Sequence, residues 1–248
     1  MQGVRRGEMS SCSSWAAMPI LYSGSVVTGL WLVYFMAIID EQIAPLGSTY
    51  SCQSQSFQPP YISMAGNYPP ASCILGQVMN LAGYGGAVLF CYRFVQVKPR
   101  LKEVWLNVSA LVANCINCFG MTLVGNFQYS ADPTVHNIGA WLSFVVGAVA
   151  CWLETWITIK INIKNEGMKI GIIRALLSGV FTICTVLFTV LVVQGDCTSA
   201  VPLEWALVMF MFLFYGTFAV EFRHSRFETT CTDTCPSTKV TSCRPSQQ

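Results

Sequence analysis

The sequence predicts an all-α, polytopic membrane protein, a bundle of six transmembrane helices with both termini in the cytosol. Apolar residues make up 53% of the 248 residues and charged residues only 10%, against about 25% charged residues in an average soluble domain. Six nearly charge-free windows are long enough to cross a bilayer. The lysines and arginines lie outside these windows, in the two tails and in every second loop between the windows. That distribution is typical of a multi-pass membrane protein.

Each span follows from the thickness of the bilayer. A crossing helix needs about 20 mostly apolar residues, because the hydrocarbon core is ~30 Å thick and each residue rises ~1.5 Å. Helices are expected rather than strands, since lipid offers no partner to open backbone groups. The transmembrane domain is predicted over 16–220, with spans at 16–39, 72–92, 104–127, 138–159, 175–195 and 203–220.

The positions of the basic residues predict the orientation of the bundle. They occur in the N-terminal tail (1–15), in the C-terminal tail (221–248) and in the loops after the second and fourth spans. By the positive-inside rule these segments are cytosolic. We expect the C-terminal tail to be disordered because it is polar. The two inner loops either attract anionic lipid or only set the topology; their basic residues are Arg93, Lys98, Arg100, Lys102, Lys160, Lys164, Lys169 and Arg174.

The cysteines divide by compartment. Cys52, Cys73 and Cys197 lie on or near the predicted outer side, where a disulfide is favoured. One pair can form, and we prefer Cys52–Cys73, then Cys73–Cys197, although spacing alone does not decide the pairing. Cys231 and Cys235 follow the last span in the cytosol, where S-palmitoylation is one interpretation and an unmodified tail is the other.

The sequence contains no catalytic signature. It lacks the zinc-protease, phosphate-loop and serine-hydrolase motifs, and no span carries a pair of carboxylates. The two histidines, His136 and His224, are predicted on opposite sides of the membrane. We therefore expect no enzyme, no cofactor, no metal site and no nucleic-acid partner.

Glu154 is the only ionisable side chain predicted deep within a span, and such residues are functional candidates by default. It lies six residues before Lys160, about 9 Å along the helix at ~1.5 Å per residue. Three interpretations compete. The carboxylate lines an aqueous cation path, it is neutral or hydrogen-bonded to a neighbouring helix, or it reaches the cytosolic interface.

Amide side chains extend this candidate path. Asn114 and Asn117 are three residues apart and share a helix face, and Asn80 lies in the second span. With Glu154, they form the candidate ion path. Hydrogen bonds between helices, each contributing about 0.6–2 kcal/mol, explain the same amides.

The first outer loop, residues 40–71, is predicted to form a structured cap. Its two Pro-Pro pairs, Pro59-Pro60 and Pro69-Pro70, fix backbone angles and exclude helix just before the second span. The cap is either a partner surface or an extracellular lid.

Several short motifs resemble the damage-regulated autophagy modulator (DRAM) family of six-span proteins, and within it the transmembrane protein 150 group, above all its tentonin-like members. The family resemblance rests on residues 60–63, Gly66, 69–73, 77–80 and 125–128, and the tentonin-like features are 98–99, 162–167 and 216–224. It covers about residues 15–227. The first eight residues look like an extension, so the start is Met1 or Met9.

The resemblance implies a component, pore-forming or modulatory, of a mechanosensitive, non-selective cation channel at the plasma membrane. Such a component works as a homo-oligomer or with another channel subunit. The alternative is a non-channel adaptor, either an autophagy modulator at lysosomal or endosomal membranes or a partner of a phosphatidylinositol kinase complex at the plasma membrane. The polar residues of the spans favour the channel, and the capped loop favours the adaptor.

Overall fold

The computed structural model describes residues 13–52 and 57–227, and over these residues it is built of helices and short connections. Six stretches are long and apolar enough to cross a membrane, which confirms the predicted six-helix architecture. They are Ser14–Ile39, Ala71–Val97, Val104–Asn126, Pro133–Ile161, Gly167–Gln194 and Cys197–Phe222.

The connections after the second, third, fourth and fifth stretches are 98–103, 127–132, 162–166 and 195–196, and only the first connection, 40–70, is long. The elements are a 3-10 turn (Ser14–Ala16), α1 (Ala17–Ile39), α2 (Ile62–Ala65), α3 (Ala71–Val97), α4 (Val104–Asn126), α5 (Pro133–Trp141), a π-helical segment (Leu142–Val146), α6 (Gly147–Ile161), a 3-10 turn (Ile163–Asn165), α7 (Gly167–Gln194), α8 (Cys197–Gly216) and α9 (Ala219–Phe222). The fourth span is thus a continuous helix of α5, the π-helical segment and α6.

The helices form a closed ring in chain order. Each spanning helix packs against the one before it and the one after it, and α8 completes the ring against α1. We call the end with connections 98–103 and 162–166 the basic end, and the end with connections 40–70, 127–132 and 195–196 the disulfide end. The backbone N–H of Ser13 donates to the carbonyl of Arg223 at 3.1 Å. Both limits of the described chain therefore lie at the basic end, whose cytosolic placement stays a prediction.

Acidic caps begin α5 and α8, two of the helices that start at the disulfide end. The Asp132 carboxylate accepts hydrogen bonds from the N–H groups of Thr134 and Val135 at 3.1 and 3.0 Å, and Pro133 occupies the first helical position. Asp196 caps α8 in the same way through the N–H of Ser199. Short polar caps and an initial proline favour helix starts at these positions.

The turn between α6 and α7 is built around Asn162. This residue ends α6 with φ of 37°, a left-handed conformation that asparagine tolerates better than most side chains. Its Oδ1 accepts a hydrogen bond from the N–H of Gly167 at 2.9 Å. A Cβ on Gly167 would lie 2.4 Å from the Asn162 Cα, so only glycine allows the chain to turn this tightly.

Small residues bring helices together along α4. A Cβ on Gly83 of α3 would lie 2.8 Å from the carbonyl of Cys118, and one on Gly120 would lie 2.7 Å from the carbonyl of Gly139. Membrane helices associate through such close backbone contact because lipid supplies no hydrophobic drive between them. The small side chains thus set the spacing of α3, α4 and α5.

Aromatic side chains, most of them from α8 and α9, fill the interior of the ring. Large apolar side chains cover the outer surface, as in Leu21 at 69% and Val193 at 83% exposure, which is expected where the solvent is hydrocarbon. The fully buried rings include Phe90, Phe181, Phe212, Phe214, Tyr215, Phe218 and Phe222.

The described part of the first connection folds back over the disulfide end. Glu204 Oε2 accepts a hydrogen bond from the N–H of Ile62 at 2.7 Å, and Trp205 Nε1 donates to the carbonyl of Pro60 at 2.9 Å. The buried carboxylate of Glu204 therefore caps α2 from another helix. These two neighbouring side chains fasten the connection to α8.

The preferred disulfide pairing was wrong. Cys52 is bonded to Cys197, and Cys73 is free and exposed. Cys197 opens α8 beside the helix-capping Asp196, so it lies next to the connection that Glu204 and Trp205 hold. Cys73 lies in the first turn of α3, where its side chain is exposed.

Two arginines also lie elsewhere than predicted. Arg93 and Arg174 were assigned to the basic loops, but α3 continues to Val97 and α7 already begins at Gly167. Both arginines are inside spanning helices and are 1% and 0% exposed. A search for charge-free windows ends each span at its first charge, so it cannot detect an arginine that is paired within the bundle.

Candidate functional site

Four charged side chains meet inside the bundle near the basic end. Arg93 of α3, Glu154 of α6, Arg174 of α7 and Glu221 of α9 are each at most 4% exposed. We call these four residues the charge clasp. Their formal charges cancel, and they link α3 across the interior of the ring to α6, α7 and α9.

Arg93 contacts both carboxylates of the clasp. Its Nε lies 3.1 Å from Glu154 Oε2, and its Nη2 lies 3.0 Å from Glu221 Oε1. Its Nη1 donates to Gln96 Oε1 at 2.8 Å. Gln96 in turn donates to the Glu221 carbonyl at 3.0 Å, which extends the network to the backbone of α9.

Arg174 binds the same Glu221 carboxylate that Arg93 contacts. Its Nη1 and Nη2 donate to the two carboxylate oxygens at 2.8 and 2.5 Å, the bidentate geometry in which arginine pairs best with a carboxylate. Its Nε donates to Thr217 Oγ1 at 2.8 Å. The Phe218 ring lies 4.3 Å from the Arg174 Cζ and 5.2 Å from the Arg93 Cζ, so it faces both cations.

Thr158 lies at the centre of the clasp. Its Oγ1 accepts hydrogen bonds from Arg93 Nη2 at 3.1 Å and from Arg174 Nη1, and it donates to the Glu154 carbonyl at 2.8 Å. One hydroxyl thus connects both guanidinium groups.

This arrangement has a clear energetic consequence. A buried charge without its partner is strongly unfavourable, and removing one member of a buried pair costs about 3–5 kcal/mol. With charges balanced and hydrogen bonds made, the clasp holds four helices in one arrangement. Loss of any one of the four side chains would therefore leave a buried charge unpaired and destabilise the basic half of the bundle.

The predicted ion-path residues reach the clasp only in part. Glu154 is bound to Arg93, and Asn114 Nδ2 donates to Glu154 Oε1 at 3.3 Å. Asn117 Nδ2 instead donates to the Ser143 carbonyl at 2.8 Å. Asn80 exchanges two hydrogen bonds with Asn126 at 2.9 and 3.0 Å, nearer the disulfide end. Of the three interpretations of Glu154, its contacts with neighbouring helices match the hydrogen-bonded one.

A cavity of about 370 Å³ occupies the half of the bundle toward the disulfide end. Its walls come from α1, the α2 segment, α3, α4, α5, the π-helical segment, α7 and α8, and they include Met121, Ser143 and Met211. Ser143 Oγ is buried and has no hydrogen-bond partner among the described residues. The cavity stands above the clasp along the bundle axis, with Asn117 between them.

Charged contacts at the surface join the connections of the basic end. Arg223 and His224 bind the two carboxylate oxygens of Glu166 at 2.5 and 3.0 Å, and these hydrogen bonds hold the pKa of Glu166 below its usual value. A hydrogen bond from Lys160 at 2.5 Å lowers the pKa of Glu103 in the same way. Connections 98–103 and 162–166 are thus each tied to a helix end.

Sequence reasoning missed most of the clasp. Arg93 and Arg174 were read as topology charges and Glu221 as the start of the tail. One signal in the sequence was spacing: Gln96 follows Arg93 by three residues, and Thr158 follows Glu154 by four, both in apolar surroundings. Such spacing places polar side chains on one helix face, and two facing helices with that pattern indicate a buried network.

Other predicted features lie outside the site or outside the described residues. The described residues contain no group of histidine, cysteine, aspartate and glutamate side chains able to hold a metal ion. Cys231 and Cys235, the candidate palmitoylation sites, lie beyond Phe227 and outside the described residues.

Comparison with known proteins gives a consistent result. The family described as Frag1/DRAM/Sfk1/Cwh43P N-terminal domain matches residues 14–225. The chain is 34% identical to the modulator of macroautophagy TMEM150B-B of Xenopus laevis over 85% of this chain and 87% of that protein. It is 29% identical to the human modulator of macroautophagy TMEM150B, over 89% and 91% of the two chains. It is 27% identical to human transmembrane protein 150A, over 85% and 84%. No solved structure matches the chain significantly.

Proposed function

Since the chain belongs to the Frag1/DRAM/Sfk1 family, we propose that it is a multi-pass membrane regulator of autophagy that acts through a partner rather than by conducting ions alone. Relatives along almost the whole chain are named modulators of macroautophagy. The proposed sites of action are lysosomal or endosomal membranes and the plasma membrane, and we propose no catalytic activity.

The charge clasp is the observation that carries this proposal. Arg93 and Arg174 occupy the interior of the basic half, where a cation leaving the bundle would have to pass. The clasp is neutral as a whole, so it offers a passing cation no uncompensated carboxylate. A cation that displaced one of the arginines would have to break its buried ion pair, which costs about 3–5 kcal/mol. A closed, charge-balanced bundle is suited to presenting its surfaces to a partner.

The test combines a cellular and a purified measurement. In cells lacking the protein, autophagic flux is measured as turnover of a lipidated autophagosome marker, with and without a lysosomal inhibitor. We expect the restored chain to change flux. The same chain, purified and reconstituted in liposomes under suction, is expected to pass no current, while gentle detergent extraction from cells retains a partner.

The control is the folded state of the reconstituted protein, checked by its intact Cys52–Cys197 bond. Unchanged flux on removing and restoring the chain would contradict the regulatory proposal. Currents from correctly folded protein alone would contradict the proposal that it does not conduct.

A second candidate function is a component of a mechanosensitive cation channel. It is favoured by the line of polar groups between the cavity and the clasp, formed by Ser143, Asn117, Asn114 and Glu154. Asn114 Oδ1 and Ser143 Oγ have no hydrogen-bond partner among the described residues. Conduction along this line requires the clasp to open, and membrane tension favours a state of larger area.

This second function is tested with Glu154→Gln in liposomes. If the line conducts, the variant changes conductance or cation selectivity under suction, because it removes the carboxylate beside Asn114. The matched control is Glu103→Gln, which removes a surface carboxylate at the same end. Equal currents from both variants and the unaltered chain would exclude Glu154 from the path.

A further inference from the structure

The cavity at the disulfide end has its mouth on the lipid-facing surface. Most of its lining residues are buried or half-buried, and the exposed ones gather on two neighbouring walls. Trp141 and Val145 belong to α5 and the π-helical segment, and Val192 and Val193 belong to α7. The cavity therefore opens sideways, between these helices, at the level of the membrane.

The mouth ends where the two walls come together. The Phe144 and Phe188 rings approach edge to face with centroids 6.0 Å apart. Further toward the basic end, Trp152 Nε1 donates to Thr182 Oγ1 at 3.1 Å. Below these contacts α6 and α7 pack closely, so the opening is confined to one half of the bundle.

The polarity of the cavity changes along its length. Tyr129, His136, Asn137 and the carboxylate of Glu204 lie toward the end near the membrane surface. The deeper walls are mainly methionine, leucine and phenylalanine, with the hydroxyls of Ser143 and Thr185. Ser143 marks the deep part, about 15 Å below Pro133 at ~1.5 Å per residue. That depth is about half of a hydrocarbon core ~30 Å thick, or one leaflet of the bilayer.

From this geometry we propose that the cavity binds one acyl chain of a membrane phospholipid, which enters between α5 and α7. The chain lies along the apolar walls, and the head group stays at the polar rim. A volume of about 370 Å³ lies near the lower limit of small-molecule sites, which span about 300–1,000 Å³. It suits one chain of a lipid whose remainder stays in the bilayer.

The π-helical segment shapes this site. Within it, the Ser143 carbonyl accepts a hydrogen bond from the Asn117 amide at 2.8 Å, and Ser143 Oγ, in the cavity wall, has no hydrogen-bond partner in the part of the chain that the structure describes. Single π-helical turns are found often at functional sites. The inference is independent of the proposed function, because lipid binding and regulation of autophagy are measured separately.

The test uses phosphatidylcholine with a photoreactive diazirine at the end of one acyl chain, incorporated into liposomes with the purified full chain. After irradiation, labelled residues are located by peptide mass spectrometry. We expect labelling to concentrate on peptides with Met121, Phe144 and Met211. A diazirine placed near the glycerol should move the label toward Tyr129 and Asn137.

Two substitutions on one turn of α7 give the matched comparison. Thr189 lines the cavity, whereas its neighbour Val190 does not and is 44% exposed. Thr189→Trp should fill the cavity and abolish labelling of the deep peptides, and Val190→Trp should leave that labelling unchanged. Folding of each variant is checked by the Cys52–Cys197 bond and by monodisperse elution.

Three results would overturn the inference. Label spread evenly over the lipid-facing residues of all six spans would show only contact with bulk lipid. Equal labelling of the deep peptides in Thr189→Trp and Val190→Trp would show that the acyl chain binds outside this cavity. Deep labelling by a photoreactive sterol but not by the phospholipid would assign the cavity to a different ligand. If Thr189→Trp does not fold, the unaltered chain still tests the inference: the label must move from the deep peptides to the rim when the diazirine is moved from the end of the acyl chain toward the glycerol.

Discussion

At the scale of single residues, Thr158 shows how the buried charges are kept in place. Its hydroxyl accepts from Arg93 and Arg174 while donating to the backbone of its own helix. A hydroxyl can accept two hydrogen bonds while donating one. Thr158 thus lies between two positively charged guanidinium groups and accepts a hydrogen bond from each of them.

Replacing Thr158 should measure this contribution. Thr158→Val keeps the shape but leaves two buried guanidinium N–H groups without this acceptor, which costs about 1–3 kcal/mol or more for charged groups. We expect a lower thermal midpoint in detergent, followed by tryptophan fluorescence. Thr158→Ser keeps the hydroxyl and should remain close to the unaltered protein. Equal midpoints for the two variants would mean that the hydroxyl does not hold the arginines.

The individual residues also show why the site was only partly predictable. Glu154 stood out because a single carboxylate in an apolar window is unusual, and this can be recognised without knowing which residues it contacts. Arg93 and Arg174 lie next to basic loops and look like ordinary topology signals. Their pairing with Glu154 and Glu221 depends on which helices are neighbours, and that arrangement is a property of the folded ring.

At the scale of elements, the connection between α6 and α7 is held at both ends. Asn162 forms its tight turn, and Glu166 ties it to Arg223 and His224 beyond α9. Contacts on the surface of this kind are weak singly. Here they join the two segments that carry Arg174 and Glu221, so they support the clasp from outside.

The Glu166 contact should depend on pH. Its pKa is lowered in the folded protein, chiefly by the hydrogen bond from Arg223 and next by that from His224. The contact therefore stabilises the fold above the ordinary glutamate pKa of about 4.3, and this stabilisation is lost as pH falls through the lowered value. Thermal midpoints of the unaltered chain and Glu166→Gln should differ at pH 6, and the difference should shrink as the pH falls below about 4.3. A difference that does not shrink between pH 6 and pH 3 would contradict this assignment.

The disulfide gives a second prediction at this scale. Cys52→Ser and Cys197→Ser should each lower the free energy of unfolding by about 2–5 kcal/mol, and the double variant should be no worse than either single one. Cys73→Ser should have no effect. Alkylation followed by mass spectrometry should find Cys73 modified without reduction. If Cys73 were protected instead, the pairing seen here would be incorrect.

At the scale of the whole molecule, the number and class of the spanning helices were predictable because bilayer thickness limits their length. Their ends were less predictable. α3 and α7 extend beyond their charge-free windows, since the charges at their ends are neutralised inside the ring. The Cys52–Cys197 pairing could not be deduced either, because three cysteines on one side allow three pairs.

The even number of crossings predicts where labels can be reached. Tags before Ser13 and after Phe227 should be accessible from the same side, because the described chain begins and ends at the basic end. Cys73, exposed in the first turn of α3 at the disulfide end, should react with a membrane-impermeant maleimide from the other side. Tags found on opposite sides would contradict six crossings.

The bond between Cys52 and Cys197 closes a covalent circle that contains four of the six spans. A protease that cuts one connection within this circle, such as 127–132 at the disulfide end, cannot release a fragment until the bond is reduced. In a degradative compartment the protein would therefore survive cleavage as one joined assembly, and its lifetime there would be governed by thiol chemistry as much as by peptide hydrolysis.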